Sequence, residues 1–93
     1  MTRWLICNER SRTVFVNCER IVSVSAEVYP SKEGYVGKVV IRLVDGSLAF
    51  WWSSKPLPNH GDALTQAEGK AREVIRFLAG VEYQPKGEGV ITG

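Results

Sequence analysis

The sequence is poor in the residues that most often build a metal or catalytic centre. It has one histidine, His60, and two cysteines, Cys7 and Cys18, eleven positions apart. A tetrahedral zinc site needs four such ligands, which this chain alone does not supply. Small secreted scaffolds usually carry four or more cysteines, and a hairpin that turns near residues 9–11 would not place Cys18 opposite Cys7. We therefore predict no disulfide, no metal, no cofactor and no catalytic residues.

Long apolar runs and phosphate-binding loops are also missing. No stretch approaches the 18 apolar residues of a membrane helix, and the start of the chain, MTRWLICNERSR, lacks the long apolar segment and cleavage site of a signal peptide. The nearest glycine-rich pattern, Gly87-Glu88-Gly89, has no strand before it and no helix after it. These absences predict a cytoplasmic protein that does not act at a membrane.

Charge is present but nearly balanced. The 93 residues carry a net charge of +2, which is too small to indicate nucleic acid or a membrane surface by itself. Residues 1–44 hold seven bases and four acids, and residues 45–93 hold five bases and six acids. Any basic surface should therefore lie in the first half of the chain.

The first half of the sequence has the pattern of β-strands. RWLIC at 3–7 and TVFVN at 13–17 flank a polar turn and predict a hairpin. From Ile21 to Tyr29, apolar and polar residues alternate, which predicts a strand buried on one face. Asp45-Gly46 lies between two further β-rich runs and is a strong hairpin signal.

The segment LAFWWSS at 48–54 places two tryptophans side by side. A two-residue turn at Asp45-Gly46 pairs residue 39 with 52, 40 with 51 and 41 with 50, which collects apolar side chains on one face. This register predicts that Trp52 enters the core. It leaves Trp51 on the opposite, mixed face, opposite Val40 and diagonal to Arg42, where a cation–π contact can form.

The second half predicts one long helix. It should begin near Asp62 or Thr65, where Thr65-Gln66-Ala67-Glu68 fits a capping box, and stop at Gly80. The apolar stripe expected to face the sheet is Leu64, Ala67, Ala71, Val74, Ile75 and Leu78. The predicted fold is α+β: an antiparallel sheet of about five strands packed on one C-terminal helix, as a two-layer sandwich. Residues 1–80 would form one domain, and residues 81–93 a tail that is flexible or ordered by a partner.

The function class predicted by this pattern is a non-enzymatic protein-binding module, acting as a regulator, an inhibitor or an accessory subunit. Small intracellular chains of this kind are common in phages and mobile elements, for example as host-factor or anti-defence inhibitors. One helix leaves one sheet face uncovered, so a protein partner, or a second copy in a homodimer, is expected there. The predicted binding residues are Trp51, Arg42, Val40, Lys38, Arg10 and Arg12.

Two alternatives belong to other classes. Basic residues among aromatics in the first half, with Trp51, could bind single-stranded nucleic acid on a sheet face. A small enzyme could use Cys7 or Cys18 with His60, although no spacing in the sequence indicates that pair.

Overall fold

The computed structural model describes residues 3–80, which form five strands followed by one helix. The elements in chain order are β1 (Trp4–Glu9), β2 (Arg12–Asn17), β3 (Ile21–Ser31), β4 (Gly34–Leu43), β5 (Leu48–Ser53) and α1 (His60–Leu78), with a short 3-10 turn at Cys18–Arg20. The α+β class, with antiparallel strands and one C-terminal helix, is confirmed. The strands form two sheets, however, β1–β2 and β3–β4–β5, where one sheet was expected. The predicted tail, 81–93, lies outside the described residues.

The turn between β4 and β5 is one residue longer than predicted. The Leu43 N–H donates to the Ser47 carbonyl at 2.9 Å, and the Gly46 N–H donates to the Leu43 carbonyl at 2.9 Å. The loop is therefore Val44-Asp45-Gly46. Gly46 has φ +87°, the left-handed conformation that closes a three-residue hairpin loop and that glycine adopts without strain.

A β-bulge at Trp51 then restores the predicted register farther along the strands. Near the loop, Ile41 pairs with Ala49 and Val40 pairs with Phe50, but Val39 pairs with Trp52. Between these last two pairs β4 advances by one residue and β5 by two, and Trp51 is the extra residue of β5. The prediction that Val39 faces Trp52 is confirmed, whereas the predicted pairing of Val40 with Trp51 is wrong. The bulge sends Trp51 to the inside, where it is 0% exposed.

Helix α1 begins earlier than the capping-box motif indicated. Its N-cap is Asn59, whose side-chain oxygen accepts hydrogen bonds from the N–H groups of Gly61 and Asp62. The predicted start near Asp62 is two residues late, and the alternative start at Thr65 is wrong because Thr65 lies inside the helix. Gly80 has φ +80° and donates its N–H to the Phe77 carbonyl, as expected for the glycine that follows a helix.

The buried stripe of α1 differs from the predicted one by a rotation of part of a turn. It consists of Ala63, Ala67, Ala71, Val74 and Phe77. Ile75, which was expected in the stripe, is 51% exposed. Small alanines let the helix approach β4 closely, and a Cβ atom at Gly37 would lie 3.2 Å from the Ala67 Cβ and closer still to the Ala63 carbonyl.

The β1–β2 hairpin packs on β5 and on the C-terminal part of α1. Leu5, Cys7 and Val16 point inward and join the same core as Trp51 and Trp52. The Arg3 guanidinium lies 4.2 Å from the centre of the Phe77 ring. Within residues 3–80, the structure contains no helix with the length and hydropathy needed to cross a membrane.

Candidate functional site

The face of the β3–β4–β5 sheet opposite α1 carries three of the six predicted binding residues. Because Gly37 faces the helix, the alternate residues of β4, Lys38, Val40 and Arg42, point to the other side. We call this side the outer sheet face. Ser25 and Glu27 of β3 lie beside Val40 and Lys38 there, and Tyr29 follows them on the same side.

Phe50 occupies the position on this face that was predicted for Trp51. It pairs with Val40, which is only 3% exposed. Trp51 is enclosed in the core, and its indole N–H has no hydrogen-bond partner among the described residues. The ring of Trp51 is therefore not available at the surface of this structure. The predicted contact of Trp51 with Arg42 fails for the same reason, the bulge between Phe50 and Trp52.

The polar and aromatic side chains of the outer sheet face contact one another. The Lys38 ammonium lies 5.0 Å from the centre of the Tyr29 ring and 5.2 Å from that of Phe50. The Glu27 carboxylate accepts hydrogen bonds from the Tyr29 hydroxyl and, at 2.8 Å, from the Ser25 hydroxyl. These bonds lower the pKa of Glu27 and raise the pKa of Tyr29, because they favour the ionised acid and the protonated phenol.

Arg10 and Arg12 lie at the turn of the β1–β2 hairpin. Glu9 accepts a hydrogen bond from the Arg12 guanidinium at 2.9 Å and, through its other oxygen, from the Phe50 N–H at 3.2 Å. The hairpin turn is thereby fixed beside β5. Arg10 is exposed at that turn. The two arginines therefore do not lie on the outer sheet face with Lys38 and Arg42, but at its border.

A second surface, on the outer side of the β1–β2 hairpin, was not predicted. Ile6 pairs with Phe15, and Trp4 is diagonal to Phe15 on the same side. Trp4 is 49% exposed and Phe15 is 63% exposed, while Ile6 is half-buried. We call these three residues the hairpin patch. The sequence did carry a signal for it: the strands WLIC and VFV are apolar on both faces, so one apolar face must remain outside unless both are covered.

Both cysteines lie far from the one histidine, His60. Burial, with smaller contributions from Glu9 and Cys18, raises the pKa of the Cys7 thiol to about 12. The Cys18 N–H donates a hydrogen bond to the Arg3 carbonyl. The Arg3 guanidinium in turn stacks on the Phe77 ring, near the C-terminal end of α1. His60 begins that helix and packs edge-on against Tyr35 at 5.5 Å, about 25 Å from Phe77 along the axis. No cluster of three metal-ligating side chains occurs in the described part of the chain.

Comparison of the chain with family models, with curated proteins and with solved structures found no match.

Proposed function

We propose that the protein is a non-enzymatic binding module that regulates, inhibits or assists another protein through the hairpin patch. The observation that carries this proposal is the exposure of Trp4 and Phe15, two large aromatic side chains side by side in a domain this small. Together they expose roughly 200–250 Å² of aromatic surface. Aromatic residues are enriched at the buried centres of protein interfaces, where a few side chains carry most of the binding energy.

Charge around the patch limits the kind of partner. Arg10 and Arg12 stand at the turn of the same hairpin, and within residues 4–17 no acid lies on its outer side, where Asn8 and Thr13 bond to each other at 2.7 Å. A surface that fits would be an apolar pocket with carboxylates at its rim. The patch supplies the apolar anchor. Arg12 is already paired with Glu9, so Arg10 supplies the positive charge at the border that speeds encounter and selects acidic partners.

The test is affinity capture of partners by the tagged full-length chain, with and without nuclease, followed by calorimetry with the purified partner. Wild type is compared with Phe15→Ser and with Val44→Ser, a matched change at a 57% exposed residue on the β4–β5 loop. Loss of the exposed part of Phe15 from an interface costs about 2–3 kcal/mol, so binding should weaken roughly 30- to 150-fold. Equal binding by both variants would exclude the hairpin patch.

A second candidate function is binding of single-stranded nucleic acid on the outer sheet face. It is favoured by Lys38 and Arg42, which share that face with the rings of Tyr29 and Phe50. Glu27 lies on the same face, however, and the Lys38 charge already rests on both rings, so the face is less basic than such a site requires. Capture that disappears with nuclease, and affinity that falls steeply with salt, would put this function first.

A further inference from the structure

The three-stranded sheet has two edges, and only one of them is shielded within residues 3–80. At the β5 edge, the Glu9 carboxylate bonds to the Phe50 N–H and β1 lies alongside. At the other edge, β3 pairs with β4 only. β3 is 11 residues long, and a long edge strand presents a row of N–H and C=O groups that can pair with another chain.

Apart from a register shift between Ile21 and Ser23 near its start, the β3 edge has few of the features that keep natural edge strands apart. Glu27 is its single charged residue, and that carboxylate is held by Ser25 and Tyr29 of the same strand. Its one proline, Pro30, lies next to the end of the strand. A free edge of this length would normally carry lysines, a central proline or a covering element.

The flank of α1 above this edge carries three apolar residues, Leu64, Ile75 and Leu78, together with the charged residues Glu68 and Arg72. One flank of α1 carries the residues that precede the buried Ala67, Ala71 and Val74, namely Gln66, Lys70 and Glu73. These three residues line a shallow groove with Trp52, so this flank lies over β5. The residues that each follow a buried residue lie on the opposite flank, over the β3 edge: Leu64, Glu68, Arg72, Ile75 and Leu78. Ile75 is 51% exposed, and the β3 side chains on the helix side of the sheet, Val24, Ala26 and Val28, are only half-buried.

We propose that this edge is a homodimer interface, in which two copies pair their β3 strands antiparallel about a two-fold axis and bring their Ile75 flanks together above the junction. The fit is geometric. Helix α1 lies over β3 and β4 and scarcely touches β5. The axis of α1 thus lies about midway between β3 and β4, and the two-fold axis would lie midway between the two β3 strands. With strands about 4.8 Å apart, the helix axis is about 5 Å from the two-fold axis. The two helices would therefore be about 10 Å apart, a normal packing distance.

The available area also suits a second copy. Eleven residues of strand extend about 37 Å, and a sheet with a helix above it is roughly 20 Å deep. That face is about 700 Å² on each partner, close to the 800 Å² of a standard interface. An isolated peptide would pair with the strand but would leave Ile75 uncovered. The dimer does not depend on the hairpin patch, which lies on the other sheet.

The test is sedimentation of the full-length chain over a wide range of concentration. Wild type should sediment at about 21 kDa, twice the 10.4 kDa of one chain. Ile75→Lys should raise the dissociation constant of the dimer about 10- to 100-fold, because two half-exposed isoleucines would lose their burial. Gln66→Lys, which adds the same charge on the β5 flank, should leave it unchanged. Ser23→Lys, a charge on the strand itself, should also weaken the dimer.

Amide hydrogen exchange of β3 distinguishes the alternatives. In the proposed dimer, consecutive β3 amides are protected, and Ile75→Lys exposes alternate ones. A wild-type monomer overturns the proposal, and protected β3 amides in that monomer would assign the edge to residues 81–93 of the same chain. A dimer that resists Ile75→Lys and Ser23→Lys but is broken by Phe15→Ser would overturn it in favour of the hairpin patch.

Discussion

Gly37 lies where β4 passes closest to α1, and its replacement by alanine tests the packing of the helix on the sheet. The added Cβ would lie 3.1 Å from the Ala63 carbonyl carbon, 3.2 Å from the Ala67 Cβ, and in hard contact with the Ala63 carbonyl oxygen. Two of these atoms belong to the helix backbone and cannot turn away. The helix must therefore move, at least locally, to accept one methyl group.

The magnitude follows from two opposing contributions. Overpacking of a close contact costs about 1–3 kcal/mol, whereas replacing glycine restricts the unfolded chain and returns about 0.4–1 kcal/mol. Gly37 does not have a positive φ, so alanine adds no backbone strain there. The two contributions combine to a net loss of about 0–2.6 kcal/mol, and the hard contact with helix backbone atoms favours the upper part of that range. For a domain of this size, each kcal/mol changes Tm by about 4–8 °C.

Thermal unfolding followed by circular dichroism measures this, with Gly69→Ala as the matched control. A Cβ at Gly69 meets nothing within 4 Å, and the residue lies inside α1. Its replacement should stabilise the helix by about 0.8–1 kcal/mol. The same chemical change should therefore lower Tm at residue 37 and raise it at residue 69. A Tm for Gly37→Ala at or above that of wild type would refute the close approach of α1 to β4.

Three further outcomes are expected. Trp51→Ala should destabilise the fold by about 3–5 kcal/mol in urea unfolding, while Leu48→Ala, a change at a 43% exposed neighbour, should cost less than about 1 kcal/mol; comparable losses would contradict the burial of Trp51. The Cys7 thiol should resist maleimide at pH 8 until the chain is unfolded, since burial raises its pKa to about 12; fast labelling of native protein would count against that burial. The lowered pKa of Glu27 means that its carboxylate stabilises the fold above the unfolded pKa, about 4.3, and that this contribution is lost as pH falls through the folded value. Wild type should accordingly lose more Tm on acidification than Glu27→Gln does, and equal losses would show that the bonds to Tyr29 and Ser25 contribute nothing.

Features with a local signal could be predicted from the sequence. The β-rich runs, the hairpin at Asp45-Gly46 and the helix stop at Gly80 each depend on neighbouring residues, and each is present. The register near that hairpin could not be predicted in the same way. Asp-Gly suits a two-residue loop, but glycine in the left-handed conformation also closes a three-residue loop, and the choice depends on the whole sheet.

The bulge could not be predicted from the tryptophan pair, because a regular strand and a strand with a bulge at Trp51 both place an apolar side chain in the core. An alternating strand would bury Trp52 and expose Trp51, and no polar residue stands in Ala49-Phe50-Trp51-Trp52 to mark where the alternation breaks. The volume of the space beside β5 decides that both tryptophans are buried. The inward side of β5 faces the β1–β2 hairpin as well as α1, and two indoles fill that space better than one. Since the hairpin forms its own sheet, periodicity within either strand gave no sign of that space.

The same arrangement explains why the two proposed surfaces lie apart. The hairpin uses its inner side, Leu5, Cys7 and Val16, to enclose Trp51, and this leaves Trp4 and Phe15 facing away from the core. It also places Glu9 against β5, which shields that edge, whereas within residues 3–80 β3 is paired on one side only. A dimer through β3 would thus put the two hairpins at opposite ends of one sheet. Each copy could then hold its own partner without interference from the other.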